Sequence, residues 1–345
     1  GHILSHDFVE AALMRRAGWG VHMAPGLGGS FEECPPSITD YAARDRRWCQ
    51  GNLQHLGVLP ARGLHWVSRL HLLTGIGAYI TSPLWLMFLL LGMIISLQAQ
   101  FVRPEYFSGR SLFPQWPAQD PVRAAWVFAG TMGMLILPKF LAYAALLVRP
   151  RERRATGGTI RTFAGMVVEI VVSGLMAPVM MLLQTRAVGE VLMGRDSGWN
   201  AQRRDDGTLP LGELLAAYGW ATLLGVLLGA GAWLVSAPLF LWMMPVLVGL
   251  VLAIPLVAWT SDARAGRRMR ALGLLSTPEE NTPPPVLTRA NALAERGDRV
   301  GDADTLAALL ADRGWLDLHM GMLPEGRRQR RRAIDGDALG AIAKI

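Results

Sequence analysis

A chain of 345 residues, 51% of them hydrophobic and with a mean hydropathy of +0.28, is too long for one small domain and too apolar for an ordinary soluble protein. Its two cysteines, Cys34 and Cys49, are too few for a framework of structural disulfides and are expected as reduced thiols. The net charge of +7, carried mainly by arginine, suits nucleic acid or an anionic membrane surface, and its placement decides between them.

The opening has neither the basic flank nor the apolar core of a signal peptide and begins inside what reads as folded sequence, so a C-terminal fragment is expected. Residues 1–66 have the pattern of the end of a soluble α/β domain. Phe8 to Arg16 predicts a short amphipathic helix, and Gly18 to Ala24 has the alternation and glycine punctuation of a strand. Pro25 to Pro36 is loop. Ser37, a capping residue ahead of Asp40, opens a helix that runs through Arg44 to His55 and sets Arg44, Arg47 and Trp48 on neighbouring turns of one face. Leu64 to Leu73 mixes apolar residues with Trp66, Arg69 and histidines, a composition suited to a helix along a membrane interface.

Residues 67–260 read as a membrane domain. About 20 predominantly apolar residues cover ~30 Å of hydrocarbon, and the stretches 75–97, 124–148, 214–235 and 239–259 meet that length. A further stretch, 163–183, is apolar but carries Glu169 and is interrupted by Pro178. Charge placement decides its status. With the first domain cytoplasmic, a crossing at 163–183 would put Arg186, Arg195, Arg203 and Arg204 outside, together with the basic tail from Arg264. An interfacial or re-entrant helix at 163–183 keeps all of them inside, and four spans plus one interfacial helix is the expected topology. In the tail, residues 261–345, Arg264, Arg267, Arg268 and Arg270 are expected among anionic headgroups. Pro283 to Pro285 is a stiff linker, Ala290 to Leu318 holds one or two short helices, and Arg327 to Arg332 is a terminal basic cluster.

The residues that carry chemistry are Ser5-His6-Asp7 and Arg44-Asp45-Arg46-Arg47-Trp48. A carboxylate can accept a proton, arginines can neutralise a diphosphate leaving group, and an indole can stack on a sugar ring. With the spans that follow, these motifs resemble the C-terminal part of the processive, inverting family 2 glycosyltransferases. Leu4 to Ala11, Gly28 to Glu33, Arg44 to Asn52 and Gly194 to Trp199 are similar to the branch that makes osmoregulated periplasmic glucans. Relatives such as cellulose synthase carry Thr-Glu-Asp where this chain has Ser5-His6-Asp7, and Gln-x-x-Arg-Trp where it has Arg44-x-x-Arg47-Trp48.

The resemblance implies the end of a GT-A-type α/β domain followed by a helical membrane domain, in the bacterial inner membrane with soluble domain and tail cytoplasmic. It implies Asp7 as general base, Arg47 and Arg44 as ligands of the nucleotide diphosphate, and Trp48 as the platform for the acceptor. It also implies a UDP-glucose donor, a growing glucan acceptor, a divalent cation, usually Mg²⁺, whose main ligands lie outside this chain, and an acyl carrier protein partner. By position and composition the loop 194–207 is a candidate gating loop, in which Trp199, Gln202, Arg203 and Arg204 supply stacking and phosphate contacts.

Blander roles compete with each of these. An aspartate near a helix start is usually a cap, and an Arg-Trp pair is usually a surface cation over an aromatic. His2, His6, His22 and His55 lack zinc-ligand spacing, Glu32 and Glu33 suit a solvated loop, and the tryptophans of the spans suit interfacial anchoring. Nucleic-acid binding would need a folded module that the pattern does not contain. The alternatives that stay open are a cellulose-, hyaluronan- or chitin-type synthase, a glycosyltransferase acting on a lipid carrier, and a transporter or channel with a regulatory domain.

Overall fold

The computed structural model describes residues 3–24, 26–27, 32, 34–101, 121–196, 198, 208–298 and 305–322. Among them every regular element is helical. The chain divides into two units, Gly1–Thr277 and Pro278–Ile345.

In the first unit α1 (His6–Arg16) and α2 (Ile38–Gln54) precede the long apolar helices. Ser37 caps α2 by accepting from the Asp40 backbone N–H at 3.1 Å. The strand expected over Gly18 to Ala24 is not formed, and its residues lie exposed without a ladder. A strand exists only by pairing, and no described segment runs beside this one. The α/β expectation therefore reduces here to its helices.

Helix α3 (Trp66–Phe101) is one 36-residue helix, so Leu64 to Leu73 contributes its first turns and is not a separate interfacial element. Then come α4 (Pro121–Leu147), α5 (Pro150–Ala155), α6 (Thr159–Leu192), α7 (Leu211–Val235), α8 (Ala237–Val251), α9 (Ala253–Ser261) and α10 (Ala263–Ala271). Helices α3, α4, α6 and α7 are each long and apolar enough to cross a membrane, and α8 with α9 forms a further pair bent by 53°. The apolar stretches of α3 and α4 are not buried inside the protein: Phe88, Ile95, Trp126 and Leu135 all lie exposed. Helices apolar all round need a non-aqueous surrounding, which marks this unit as membrane-associated.

Helix α6 runs unbroken through Pro178, against the expected interruption. The neighbouring helix makes room for it: Gly249 of α8 receives the Leu175 carbonyl and the Pro178 ring, where a Cβ would collide with both. Gly225 of α7 likewise admits Leu250. In lipid, where apolar side chains gain little from leaving the solvent, close approach through small residues is what holds helices together. Met176, Val179, Tyr218, Leu228, Leu250 and Val257 fill the resulting core of α6 to α9. A second cluster joins α2 to α3 and α6 through Cys49, Leu53, Ile76, Tyr79 and Val188. A third seats α1 on α3 through Val9, Ala12 and Leu72.

Arg264, Arg267, Arg268 and Arg270 lie on α10, which packs in this first unit and is capped by Asp262. In the second unit α11 (Pro278–Asn281) is followed by α12 (Pro285–Asp298), with Pro285 of the proline run at its first position, then by α13 (Thr305–Ala311) and α14 (Arg313–Met322). Arg327 to Arg332 lie outside the described residues.

Candidate active site

Helical spacing gives α2 two distinct faces. Asp45, Cys49 and Leu53 recur every turn and are buried, while Arg44, Arg47 and Trp48 lie on the other side. The Arg44 guanidinium sits 4.7 Å from the centre of the Trp48 ring, a cation–π contact, and faces the exposed Glu32 at 3.4 Å. Its Nε is buried without a hydrogen-bond partner among the described residues. Trp48 is 46% exposed. Arg47 is half-buried and makes no hydrogen bond or ion pair with a described residue.

The start of α1 docks on the last turns of α2. The Leu4 N–H donates to the Gln54 side-chain oxygen at 2.9 Å, and the Ser5 carbonyl lies 2.9 Å from Nε2 of the fully buried His55. Phe8 meets the same imidazole edge-on at 6.2 Å. Ser5 presses against Gly51, one turn beyond Arg47 and Trp48, so closely that a Cβ there would come within 2.5 Å of the Ser5 nitrogen. Ser5, at the start of the helix that bears Asp7, thereby sits one turn beyond Arg47 and Trp48. The Asp7 carboxylate is exposed and lies 3.3 Å from His6 Nδ1, which also faces Glu10 at 2.9 Å.

The inner face of α2 carries a polar network. Buried Asp45 accepts from the Tyr79 hydroxyl at 2.9 Å and from the Gln184 amide at 3.0 Å, and Gln184 in turn accepts from Ser82 at 2.6 Å. Beside it Arg46 pairs with Glu190 at 2.7 Å, and Arg186 holds the same carboxylate at 3.0 Å. Gln50 donates to Asp196 at 2.9 Å. A cleft of about 510 Å³ opens along this flank between α2 and α6. Burial, reinforced by the Asp45 carboxylate, pushes the Cys49 thiol up to about 12 and raises Tyr41 as well. Cys49 is therefore an inert core thiol, and Cys34 is exposed.

Two expectations about the site fall differently. Trp199, Gln202, Arg203 and Arg204 of the candidate gating loop lie outside the described residues. For a divalent cation, the one cluster of potential ligands among the described residues is His6, Asp7 and Glu10, all exposed. An imidazole nitrogen between two carboxylates does not match the oxygen shell that Mg²⁺ prefers, and the imidazole is already engaged with both acids. The cluster does not fit the expected metal.

Residues 2–146, which include α1, α2, α3 and most of α4, match the family described as Glycosyl transferase family group 2. The chain is 58% identical over 337 residues to glucans biosynthesis glucosyltransferase H of Rhodopseudomonas palustris (strain TIE-1), covering 97% of this chain and 46% of the relative. It is 56% identical over 346 residues to the protein of that name in Bradyrhizobium diazoefficiens, with 100% and 46% covered, and 51% identical over 325 residues to that of Shewanella sp. (strain ANA-3), with 94% and 45% covered. The chain thus spans about half the length of the curated relatives it matches. No solved structure matches it. Residues 2–146 thus resemble glycosyl transferase family group 2, and along nearly its whole length the chain is similar to part of the proteins named glucans biosynthesis glucosyltransferase H.

Proposed function

We propose that this chain acts in an inner-membrane glucosyltransferase that moves glucose from UDP-glucose to a growing β-glucan with inversion and passes the product towards the periplasm. The observation that supports this proposal is the docking of Ser5 on Gly51, which seats the start of the helix bearing Asp7 one turn beyond Arg47 and Trp48. In this scheme the Asp7 carboxylate takes the proton of the acceptor hydroxyl as that oxygen attacks the anomeric carbon. The bond from that carbon to the diphosphate breaks on the opposite side. Arg47, with no partner of its own among the described residues, holds the departing negative charge, and Arg44 assists from the turn before. Trp48, backed on one side by the Arg44 guanidinium, stacks on the terminal acceptor ring.

The topology in this scheme has α1, α2 and the tail cytoplasmic, with α3, α4, α7 and the bent pair α8–α9 as spans and α6 along the cytoplasmic interface. Contacts at both ends of α6 support it. Near its C-terminus Glu190 pairs with Arg46 of α2, and near its N-terminus Gly165 and Arg161 pack against residues 273–275, just beyond the basic helix α10. Glu169 is neutralised by Lys139, about two turns before the end of α4, which keeps this ion pair near that end of the span.

Feeding labelled UDP-glucose to membranes that carry the enzyme tests the function. A β-glucan product that is not purely β-1,4-linked is expected. Pure β-1,4 product would move the assignment to the cellulose type, and failure to incorporate any glucose would overturn it.

A further inference from the structure

We propose that Asp45 is a positioning residue: its buried carboxylate fixes where the face bearing Arg47 and Trp48 stands relative to the membrane helices. This rests on the sugar-transfer scheme above. Asp45 is 5% exposed, and both of its oxygens are engaged, one by the Tyr79 hydroxyl of α3 and the other by the Gln184 amide of α6. Gln184 is itself held through its oxygen by Ser82, again on α3. The carboxylate thus ties three helices at one point, through partners 34 and 139 residues away in sequence.

The physical case is one of orientation. The apolar cluster that includes Cys49, Leu53 and Ile76 holds α2 to α3 but tolerates small rotations and slides, because dispersion is not directional. Two hydrogen bonds arriving at one carboxylate from two different helices fix both rotation and register. Arg47 and Trp48 lie within one turn of Asp45 on the same helix, so a rotation of α2 about its axis moves both side chains together. Displacements of about 1 Å from the reacting geometry can cost on the order of 10²-fold in rate. Asp45 touches neither donor nor acceptor in this scheme; it acts through the helix that does.

The network also predicts which substitutions are tolerated. In Asp45→Asn the new amide can keep accepting from Tyr79 and donate to Gln184, provided the Gln184 amide turns over and presents its nitrogen to Ser82, whose hydroxyl can accept. Asp45→Leu can do none of this. It removes both acceptors and leaves the buried Tyr79 hydroxyl and the part-buried Gln184 NH₂ group without the partner each now has.

The test measures glucose incorporation from UDP-glucose, per folded enzyme, for wild type, Asp45→Asn, Asp45→Leu, Tyr79→Phe and Gln184→Leu in membranes. The expectation is that Asp45→Leu lowers kcat about tenfold with the KM for donor within about twofold, and that Asp45→Asn restores most of the loss. Tyr79→Phe and Gln184→Leu should each lower kcat about threefold, and neither should add to the effect of Asp45→Leu, because all three act at one point. Wild-type kcat per folded enzyme in Asp45→Leu, or additive losses in the double variants, would overturn the proposal. If Asp45→Leu does not fold, the milder Tyr79→Phe and Gln184→Leu decide, and unchanged kcat in both would overturn it equally. A wild type that incorporates no glucose would instead sink the transfer scheme, so the two failures are distinguishable.

Discussion

On the inner face of α2, Asp45 accepts two hydrogen bonds and Arg46 is paired with Glu190. On the outer face, Arg47 has no partner among the described residues, the Arg44 Nε is buried without one, and Trp48 stands 46% exposed. A buried polar group left unpaired costs ~1–3 kcal/mol, so folding alone does not favour the outer arrangement. The inner face is organised to hold the helix in place. On the outer face Arg44 leans on Trp48 and Glu32 while Arg47 and Trp48 are tied to no neighbouring helix among the described residues, and the difference separates residues that anchor α2 from residues that do not.

Substitutions can break or sharpen that contrast. Arg47→Ala should have the largest effect of those on α2. It removes charge-assisted hydrogen bonds to the leaving diphosphate worth ~1.5–3 kcal/mol each, so kcat/KM should fall on the order of 10²-fold with the melting temperature unchanged. Loss of stability without loss of transfer would assign Arg47 to the structural side. Trp48→Ala removes a stacking surface worth ~0.5–1.5 kcal/mol. Up to about tenfold lower transfer to an added glucan acceptor is expected, with donor affinity preserved, and an effect confined to donor affinity would argue against the acceptor platform.

Changes on the inner flank should read out differently. Glu190→Gln weakens an ion pair whose arginine partners are 27% and 65% exposed. Solvent screening limits its loss to about 1 kcal/mol of stability, measured by thermal unfolding in detergent. The smallest effect belongs to Cys49. With its thiol pushed up to about 12, only ~10⁻⁴ is thiolate at pH 8, so a maleimide should label Cys34 and spare Cys49 until the protein unfolds. The folded form favours the neutral thiol. Its stabilising contribution is complete below the ordinary thiol range and is lost as pH rises through that range towards 12.

Local signals made part of this structure legible in sequence. The Ser37 cap and the spacing of Arg44, Arg47 and Trp48 predict α2 and its outer face, because capping and helical periodicity act within a few residues. The apolar stretches predict the long helices for the same reason. What depends on partners was not legible. Gly18 to Ala24 has a strand's alternation but forms no ladder with any of the described residues. Pro178 reads as an interruption until Gly249 of α8 is seen to accommodate it. Asp45 is one charge among the arginines of its motif in sequence, and its buried role depends on Tyr79 and Gln184, far along the chain. The hydrogen bond from Leu4 to Gln54, which ties the start of α1 to α2, spans 50 residues and is equally hidden.

The central claim is that Asp7 and the outer face of α2 form one site for sugar transfer. Its most direct test compares glucose incorporation by wild type, Asp7→Asn and the surface control Glu152→Gln, each at matched levels of folded enzyme. Loss of a general base should lower incorporation by ~10²–10⁴-fold in Asp7→Asn and leave Glu152→Gln at the wild-type rate. Incorporation by Asp7→Asn at the wild-type rate would contradict the account.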